Sequence, residues 1–279
     1  MHGEFYLVTY TILSQAAIGL AIMLFIASKV LGVEEKNKSN YKMGYLISTV
    51  LILLAMAVSG MHLGSPMRGM NAIINIGSSW LSREIFLTGL FFASSVIAYY
   101  MIHKNKNFHF AALASSVIGF LCVVGQAAVY ANTIIPAWGS GHGYVTFIGA
   151  TMAMGAFLGV LVLFKGGDGF NQAGAKKYIT IAMVMAFVGV LMQAGLYSIF
   201  AGHLAQTGKA GIGSLGLLSE KGTMMAIRWI CSAIALVGLG VIVHKKEGNS
   251  MLFMFTLLIF LGEILNRTMF YGIGIAIGL

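Results

Sequence analysis

Charged residues are scarce in this sequence. Only 9% of its 279 residues are Asp, Glu, Lys or Arg, whereas 58% are hydrophobic. Soluble domains average about 25% charged residues, and disordered chains combine low hydrophobicity with high charge density, so the composition excludes both classes. The pI of 9.6 does not indicate nucleic-acid binding either, because the basic residues are spread thinly between long apolar runs. The composition therefore predicts an integral membrane protein.

Cysteine and proline are also rare, with two residues of each. Cys122 and Cys231 lie in separate apolar runs, so the chain has no Cys-x-x-Cys pattern of the kind that holds zinc or iron–sulfur clusters. His62 and His203 are the only histidines placed to ligate a haem between facing helices, and both are predicted at the membrane edge. We therefore expect no metal, no iron–sulfur cluster and no haem in this chain.

Long hydrophobic runs dominate the rest of the sequence. A transmembrane helix needs about 20 predominantly apolar residues, and eight runs meet this requirement. They are 5–31, 43–63, 81–102, 108–133, 143–165, 178–204, 222–244 and 251–277. Because they leave almost no sequence for a soluble domain, we predict an all-α protein with one transmembrane domain, 1–279. The first run is predicted to be a retained span rather than a cleaved signal peptide.

The distribution of lysine and arginine predicts the orientation. The loops after spans one, three, five and seven hold eleven lysines, and the opposite side holds six Lys and Arg residues. Since short cytoplasmic loops are enriched in Lys and Arg, the odd-numbered loops are predicted to be cytoplasmic and both termini to be periplasmic. Most of the net charge of +9 is thus a topology signal.

Histidines recur at a nearly constant spacing. Each pair lies 140 or 141 residues apart, and the two members are followed by the same residue; the pairs are His2 and His142, His62 and His203, and His103 and His244. Half of the chain is about this long, so the spacing predicts two parallel four-helix repeats, 1–138 and 139–279. Coincidence is the alternative, because polar residues collect at span ends in any membrane protein. In a repeat, Glu84 would align with Met225, so its carboxylate would belong to one half only.

The ionisable residues within or next to the spans lie near the predicted outer surface. Such residues are costly in a bilayer and mark candidate functional sites. A structural role is the competing explanation: Glu263 and Arg267, one helical turn apart, could pair with each other, and Arg228 could extend to the interface. His62 closes span two and Glu84 opens span three, so an imidazole and a carboxylate are predicted close to one membrane surface.

This pair of side chains suits the oxidation of a quinol. A quinol gives up two electrons and two protons, and each ring hydroxyl needs a proton acceptor. A neutral histidine accepts a proton near pH 7, and a positioned carboxylate accepts another. Both protons would leave toward the outer surface, and a chain without redox centres must pass the electrons directly to a partner protein.

Two stretches resemble the membrane anchor subunit of the dimethyl sulfoxide reductase family. One is MHLGSPMRG (61–69), continuing to LSREI (81–85), and the other is GEILNR (262–267). The resemblance implies a menaquinol-oxidising anchor of the bacterial inner membrane that serves anaerobic respiration. It also implies two partners, an iron–sulfur subunit and a molybdopterin catalytic subunit, so the molybdenum is expected outside this chain.

The resemblance assigns His62 and Glu84 to the menaquinol site, and we expect Ser65, Arg68, Arg267 and Glu263 to contribute to it. Arg83 replaces an asparagine beside the site glutamate, and it would act on the carboxylate if both side chains pointed the same way. Protons released and consumed on the outer side would make turnover electroneutral.

Three alternatives stay open from the sequence. A secondary transporter fits four-helix repeats with intramembrane charges, but transporter sites lie near the midplane. A quinone-linked, ion-pumping anchor of the polysulfide-reductase class needs a polar chain reaching the cytoplasm, and the inner halves of these spans lack acids and histidines. A scaffold that makes no contact with quinol is the third.

Overall fold

The computed structural model describes residues 2–62, 73–164, 170, 173–245 and 250–276. Within these ranges the regular structure is entirely helical, which confirms the all-α prediction; a 3-10 turn covers Ile73–Asn75. The α-helices are α1 (His2–Val30), α2 (Glu35–His62), α3 (Trp80–His103), α4 (His109–Ala131), α5 (His142–Phe164), α6 (Ala175–Gly195), α7 (Tyr197–Gln206), α8 (Gly208–Glu220), α9 (Gly222–Lys245) and α10 (Ser250–Gly272).

Eight helical segments of the described residues are long and apolar enough to cross a membrane, as predicted. The largest difference in their bounds is at the second span, which was predicted to start at 43 and starts at Asn37. The polar residues before 43 already form helix: the side-chain oxygen of Asn37 accepts a hydrogen bond from the Glu34 amide at 2.8 Å. Hydropathy marks only the apolar part of a helix, so it misses such a polar first turn.

The sixth span is not one continuous helix, and it extends further than predicted. A run at 178–204 was expected, but α6 ends at Gly195 and α7 begins at Tyr197. Gly208, the first residue of α8, then adopts a positive φ of 70°, a conformation that glycine adopts without steric cost. The apolar composition continues through the break, so a hydropathy window cannot detect it. Helix α8 occupies a segment for which no element was predicted.

Helices α1 and α5 form the centre of the bundle. In each of them 78% of the most apolar stretch is buried. They cross at Gly19 and Gly155, and a methyl group added to Gly19 would lie 2.8 Å from the Gly155 Cα. Glycine is therefore required at this crossing because the two backbones touch.

Helix neighbours are equivalent in the two halves of the protein. Helices α1 to α4 contact one another in a ring, and α5, α6, α9 and α10 form a second ring. Contacts between the rings also come in matched pairs: α1 packs on α10 as α5 packs on α4, and α1 packs on α6 as α5 packs on α2. Two parallel repeats would produce this pattern, but the repeat stays a prediction until the halves are superposed.

Two ends of the bundle differ in character. We call one the Glu84 end, where α2, α4 and α10 finish and α1, α3, α5 and α9 begin, and the other the lysine end. Every buried acidic or basic side chain among the described residues lies toward the Glu84 end; these are Glu84, Arg228, Glu263 and Arg267. Which end faces the periplasm remains a prediction.

Candidate functional site at the Glu84 end

Glu84 lies in the second turn of α3 and is 5% exposed. The helix starts behind Ser79, whose hydroxyl accepts a hydrogen bond from the Ser82 amide at 3.4 Å. A Cβ added to Gly125 of α4 would make an ordinary contact of 3.8 Å with the Glu84 Cα, so α4 packs directly against this turn of α3. One turn further along α3, the Thr88 hydroxyl donates a hydrogen bond to the Glu84 carbonyl at 2.8 Å. Glu84 is therefore held in the interior of the first ring.

Tyr10 and Gln126 connect the surroundings of Glu84 to the interior of the bundle. The Gln126 amide nitrogen donates to the Tyr10 hydroxyl at 3.3 Å and to Ser14 Oγ at 2.8 Å. The Tyr10 hydroxyl is also 3.2 Å from Thr88 Oγ1. The neighbourhood of Glu84 is thus a buried, hydrogen-bonded cluster.

Gln15 of α1 links this cluster to the second ring. Its amide nitrogen donates to Gln126 Oε1 at 3.2 Å, and its oxygen accepts a hydrogen bond from Arg267 Nη2 at 2.8 Å. Arg267 is fully buried, and its guanidinium carbon lies 3.7 Å from the centre of the Phe147 ring. The structure therefore connects Arg267 to the cluster beside Glu84, although the two residues belong to different halves of the sequence.

A second polar cluster surrounds Gln193 of α6. Its side-chain oxygen accepts hydrogen bonds from Arg228 Nη2 at 2.6 Å and from Asn266 Nδ2 at 2.7 Å. Its nitrogen donates to Glu263 Oε1 at 3.0 Å, while Asn266 donates to Glu263 Oε2 at 3.2 Å. Both carboxylate oxygens of Glu263 are therefore bonded to amides, and Arg267 donates to Gln15 of the other network instead.

These contacts decide between the structural alternatives that the sequence left open. Glu263 and Arg267 do not form a hydrogen-bonded pair along α10, because each is bonded to a different helix. Arg228 does not extend to the interface: it is 4% exposed and lies 4.1 Å from the Trp229 ring centre. All three side chains belong to the interior.

A small cavity lies beside the second cluster. Its volume is about 20 Å³, and its lining includes His142, Phe200, Arg228 and Asn266. His142 stacks on Phe200 with ring centres 4.0 Å apart. A water molecule needs about 10–15 Å³ of such space, so the cavity holds about one water and is far too small for a quinone ring.

Several predicted site residues fall outside the described part of the protein. Ser65 and Arg68 lie in the segment 63–72, which the structure does not describe, and the side chain of His62 is likewise not described although its backbone ends α2. Their placement relative to Glu84 stays a prediction. Among the described side chains, no group of three or more His, Cys, Asp or Glu residues could hold a metal ion.

Arg83 points away from Glu84. Its Nε donates to the carbonyl of Ile76 at 2.9 Å, and its Nη2 donates to the carbonyl of Gly77 at 2.7 Å. Its guanidinium also lies 4.5 Å from the Trp80 ring centre. Arg83 therefore stabilises the backbone leading into α3 and does not contact the site carboxylate.

The uncharged members of both clusters were not predicted, because only acidic, basic and histidine side chains were taken as signals of a site. These residues are Tyr10, Gln15, Gln126, Gln193 and Asn266. The sequence nevertheless holds a signal for the four Gln and Asn residues, because an amide within an apolar span is unfavourable unless it is hydrogen-bonded. Each of these amides proves to be fully or almost fully buried and bonded to another helix.

The fold and these clusters define a class: a multi-pass helical membrane protein whose buried charges are gathered toward one end. The family can also be named. The sequence model of the DMSO reductase anchor subunit (DmsC) matches residues 1–273, so the protein belongs to this family, and the resemblance stated from its motifs is confirmed.

Individual relatives match over most of their length. The sequence is 25% identical to the YnfH subunit of an anaerobic dimethyl sulfoxide reductase of Escherichia coli (strain K12), over 99% of this protein and 96% of the relative. It is 27% identical to the C subunit of anaerobic dimethyl sulfoxide reductase from the same organism, over 82% and 80%. The corresponding C subunit of Haemophilus influenzae is 24% identical, over 99% and 96%.

Proposed function

We propose that this protein is the membrane anchor of an anaerobic molybdoenzyme complex resembling dimethyl sulfoxide reductase, and that it oxidises menaquinol near the periplasmic face of the bacterial inner membrane. The observation that carries the proposal is the Glu84 carboxyl, which is buried at one end of the bundle in a member of the anchor-subunit family. A buried carboxylate that follows a helix ending in histidine supplies the two proton acceptors that quinol oxidation needs.

Oxidation of one menaquinol yields menaquinone, two protons and two electrons. Glu84 accepts one proton and His62 the other. The electrons pass to an iron–sulfur subunit docked on the Glu84 end, and from there to a molybdopterin catalytic subunit. Ser65 and Arg68, which follow His62 in the sequence, contribute polar contacts to the bound quinol in this proposal.

Proton release on the side where the catalytic subunit consumes protons makes turnover electroneutral. The buried charges of the described residues support release at the Glu84 end, because all four lie toward it. The ion-pumping alternative needs ionisable groups that continue to the lysine end, and no buried acidic or basic residue was found there in the described ranges. Generation of a membrane potential by turnover in sealed vesicles would contradict the electroneutral scheme.

Glu84→Gln tests the proposed role of the carboxylate with little change in shape. We expect menaquinol-driven reduction by the assembled complex to fall by about 10²–10⁴-fold, the usual contribution of a general base. Reduction driven by a soluble viologen dye should stay at the wild-type rate, because the dye reduces the partner subunits directly. His62→Ala should show the same split between the two donors.

Glu220→Gln is the matched control, since Glu220 ends α8 at the same end of the bundle and is exposed. It should leave both activities unchanged. Wild-type menaquinol oxidation in Glu84→Gln or in His62→Ala would refute the proposed site, and the protein would then be better described as an assembly scaffold.

A further inference from the structure

We propose that the cavity beside the second polar cluster binds a small monovalent anion, of about the size of chloride, through Arg228 and His142. The short helices α7 and α8 supply Phe200 and Leu218 to the lining of this cavity. The proposal does not rest on the proposed function, because it concerns the second ring and holds whether or not Glu84 accepts a proton.

Arg228 supplies a buried positive charge to the cavity. It lies in the second turn of α9, is 4% exposed and lines the cavity. Its Nη2 donates to the side-chain oxygen of Gln193 at 2.6 Å, but its Nε is buried and has no hydrogen-bond partner among the described residues. The guanidinium therefore has a donor left for a further acceptor, and the acceptor that the structure gives it is a neutral amide.

His142, the first residue of α5, supplies a second donor. Its Nε2 is 3.3 Å from the Thr146 hydroxyl oxygen, whereas its Nδ1 is buried and has no hydrogen-bond partner in the described part of the protein. A neutral imidazole has one N–H group and one acceptor nitrogen. When the Thr146 hydroxyl donates to Nε2, the ring proton is on Nδ1, and this nitrogen can donate to an anion.

The cavity contains no carboxylate that could act as the partner of Arg228. No acidic side chain is among the described residues that line it. Glu263 is the acid of the adjoining cluster, and its two oxygens accept hydrogen bonds from Gln193 and Asn266 at 3.0 and 3.2 Å. Gln193 thus stands between this acid and Arg228 in the series of hydrogen bonds.

The buried side chains of the second ring also carry an excess of positive charge, since Arg228 and Arg267 outnumber Glu263. The remaining buried acid, Glu84, belongs to the other ring, and none of the described hydrogen bonds joins it to Arg228. An unbalanced charge is unfavourable in a low-dielectric interior. An anion in the cavity balances the charge of Arg228 at hydrogen-bonding distance, and it does so whether or not Glu84 is ionised.

The size of the cavity restricts what can bind. Its volume is about 20 Å³, and one water molecule needs about 10–15 Å³ of such space. Chloride is a sphere only slightly larger than water and fits this volume, whereas sulfate and phosphate, with four oxygens each, do not. A water molecule could accept from both donors, but it would leave the charge of Arg228 unbalanced, so we favour the anion.

An anion in this cavity would join helices from different parts of the second ring. Arg228 belongs to α9 and His142 to α5, and the His142 ring stacks on Phe200 of α7 with centres 4.0 Å apart. The other packing of α7 and α8 comes from a small apolar cluster that includes Leu204 and Leu218. Binding should therefore stabilise the attachment of α7 and α8 to the bundle.

Thermal stability in two salts tests the proposal on the purified complex in detergent. The anchor that stays soluble after heating is detected by an epitope tag, and sodium chloride is compared with sodium gluconate at equal ionic strength, because gluconate is too large for the cavity. At a chloride concentration about ten times the dissociation constant, the melting temperature should be about 3–6 °C higher in chloride.

Two variants assign this difference to the cavity. Arg228→Met removes the charge, and His142→Phe removes the ring nitrogens while keeping a ring against Phe200. Whatever either variant does to the stability itself, the difference between the two salts should largely disappear. Arg83→Met is the matched control, because Arg83 is a cation at the same end whose guanidinium donates to two backbone carbonyls; it should keep the full difference.

Equal melting temperatures of the wild-type complex in the two salts would overturn the proposal and leave water as the occupant. A chloride effect that persists in full in both Arg228→Met and His142→Phe would also overturn it, because the ion would then act elsewhere. Crystals of the complex grown in sodium bromide give a direct check. An anomalous peak within hydrogen-bonding distance of Arg228 Nε supports the site, and the absence of such a peak contradicts it.

Discussion

Gln193 offers the clearest test of the second buried cluster. Its amide bonds to Arg228, Asn266 and Glu263 on two other helices, with distances of 2.6, 2.7 and 3.0 Å. Replacing it by leucine keeps a similar volume and removes all three contacts. Asn266 and Glu263 retain the bond between them, whereas the Arg228 guanidinium loses the only hydrogen bond that the structure gives it and remains buried.

The expected cost follows from these losses. Hydrogen bonds between membrane helices contribute about 0.6 kcal/mol each, so three of them amount to about 2 kcal/mol. Leaving a buried donor without its hydrogen bond costs about 1–3 kcal/mol, and more for a charged group, so the expected total is about 2 kcal/mol or more. Each kcal/mol lowers the melting temperature of a domain of 150–250 residues by about 2–4 °C, so Gln193→Leu should lower it by about 5 °C or more.

Thermal unfolding of the purified complex in detergent measures this effect. Gln206→Leu is the matched control, because Gln206 ends α7 and is exposed; its change should stay within about 0.5 kcal/mol. The double variant Gln193→Leu with Arg228→Leu should be less destabilised than the sum of the single variants, since the stranded charge is then absent. An unchanged melting temperature in Gln193→Leu would refute the placement of this cluster.

Further predictions concern packing and orientation. Gly19→Ala should destabilise the bundle because its methyl group would meet the backbone of α5. Gly89→Ala is the control: nothing lies within 4 Å of the added methyl, so it should be neutral or stabilising by up to about 1 kcal/mol. Thermal unfolding compares the two variants, and equal effects would contradict the close crossing of α1 and α5. Glu220→Cys should react with a membrane-impermeant thiol reagent added to intact spheroplasts, and Lys104→Cys only after lysis. Both native cysteines are buried, so the background is low, and the reverse labelling pattern would invert the orientation predicted from the lysines.

Hydropathy was sufficient for the span count but not for the helix ends. The eight runs are predictable because a bilayer requires a fixed length of apolar helix. The polar start of α2 and the break at Leu196 are not visible to a hydropathy window: the first lies outside the apolar run, and the second lies inside one. Helix α8 was missed because its many small residues give neither a strong apolar run nor a clear amphipathic period.

Charge alone pointed to several of the side chains that prove to be buried, while their function stays a prediction. Glu84, Glu263 and Arg267 were predicted to be functional because ions are costly in a membrane, and all three are buried. Their partners could not be predicted in the same way, since pairing depends on which helices touch. Gln15 and Gln126 are separated by 111 positions along the sequence, and no local pattern indicates that α1 and α4 place them side by side.

The buried charges also give a physical reason why the two rings form one unit. With the acids ionised, Glu84 is the one buried charge of the first ring among the described residues, so the buried charge of that ring is −1. The buried charge of the second ring is +1, because Arg228 and Arg267 outnumber Glu263. Counted over the described residues, neither ring is neutral in isolation, and an unbalanced charge is unfavourable in a low-dielectric interior; together these residues sum to zero. Gln15, on the central helix, joins the two rings, because it contacts Gln126 of the first ring and Arg267 of the second.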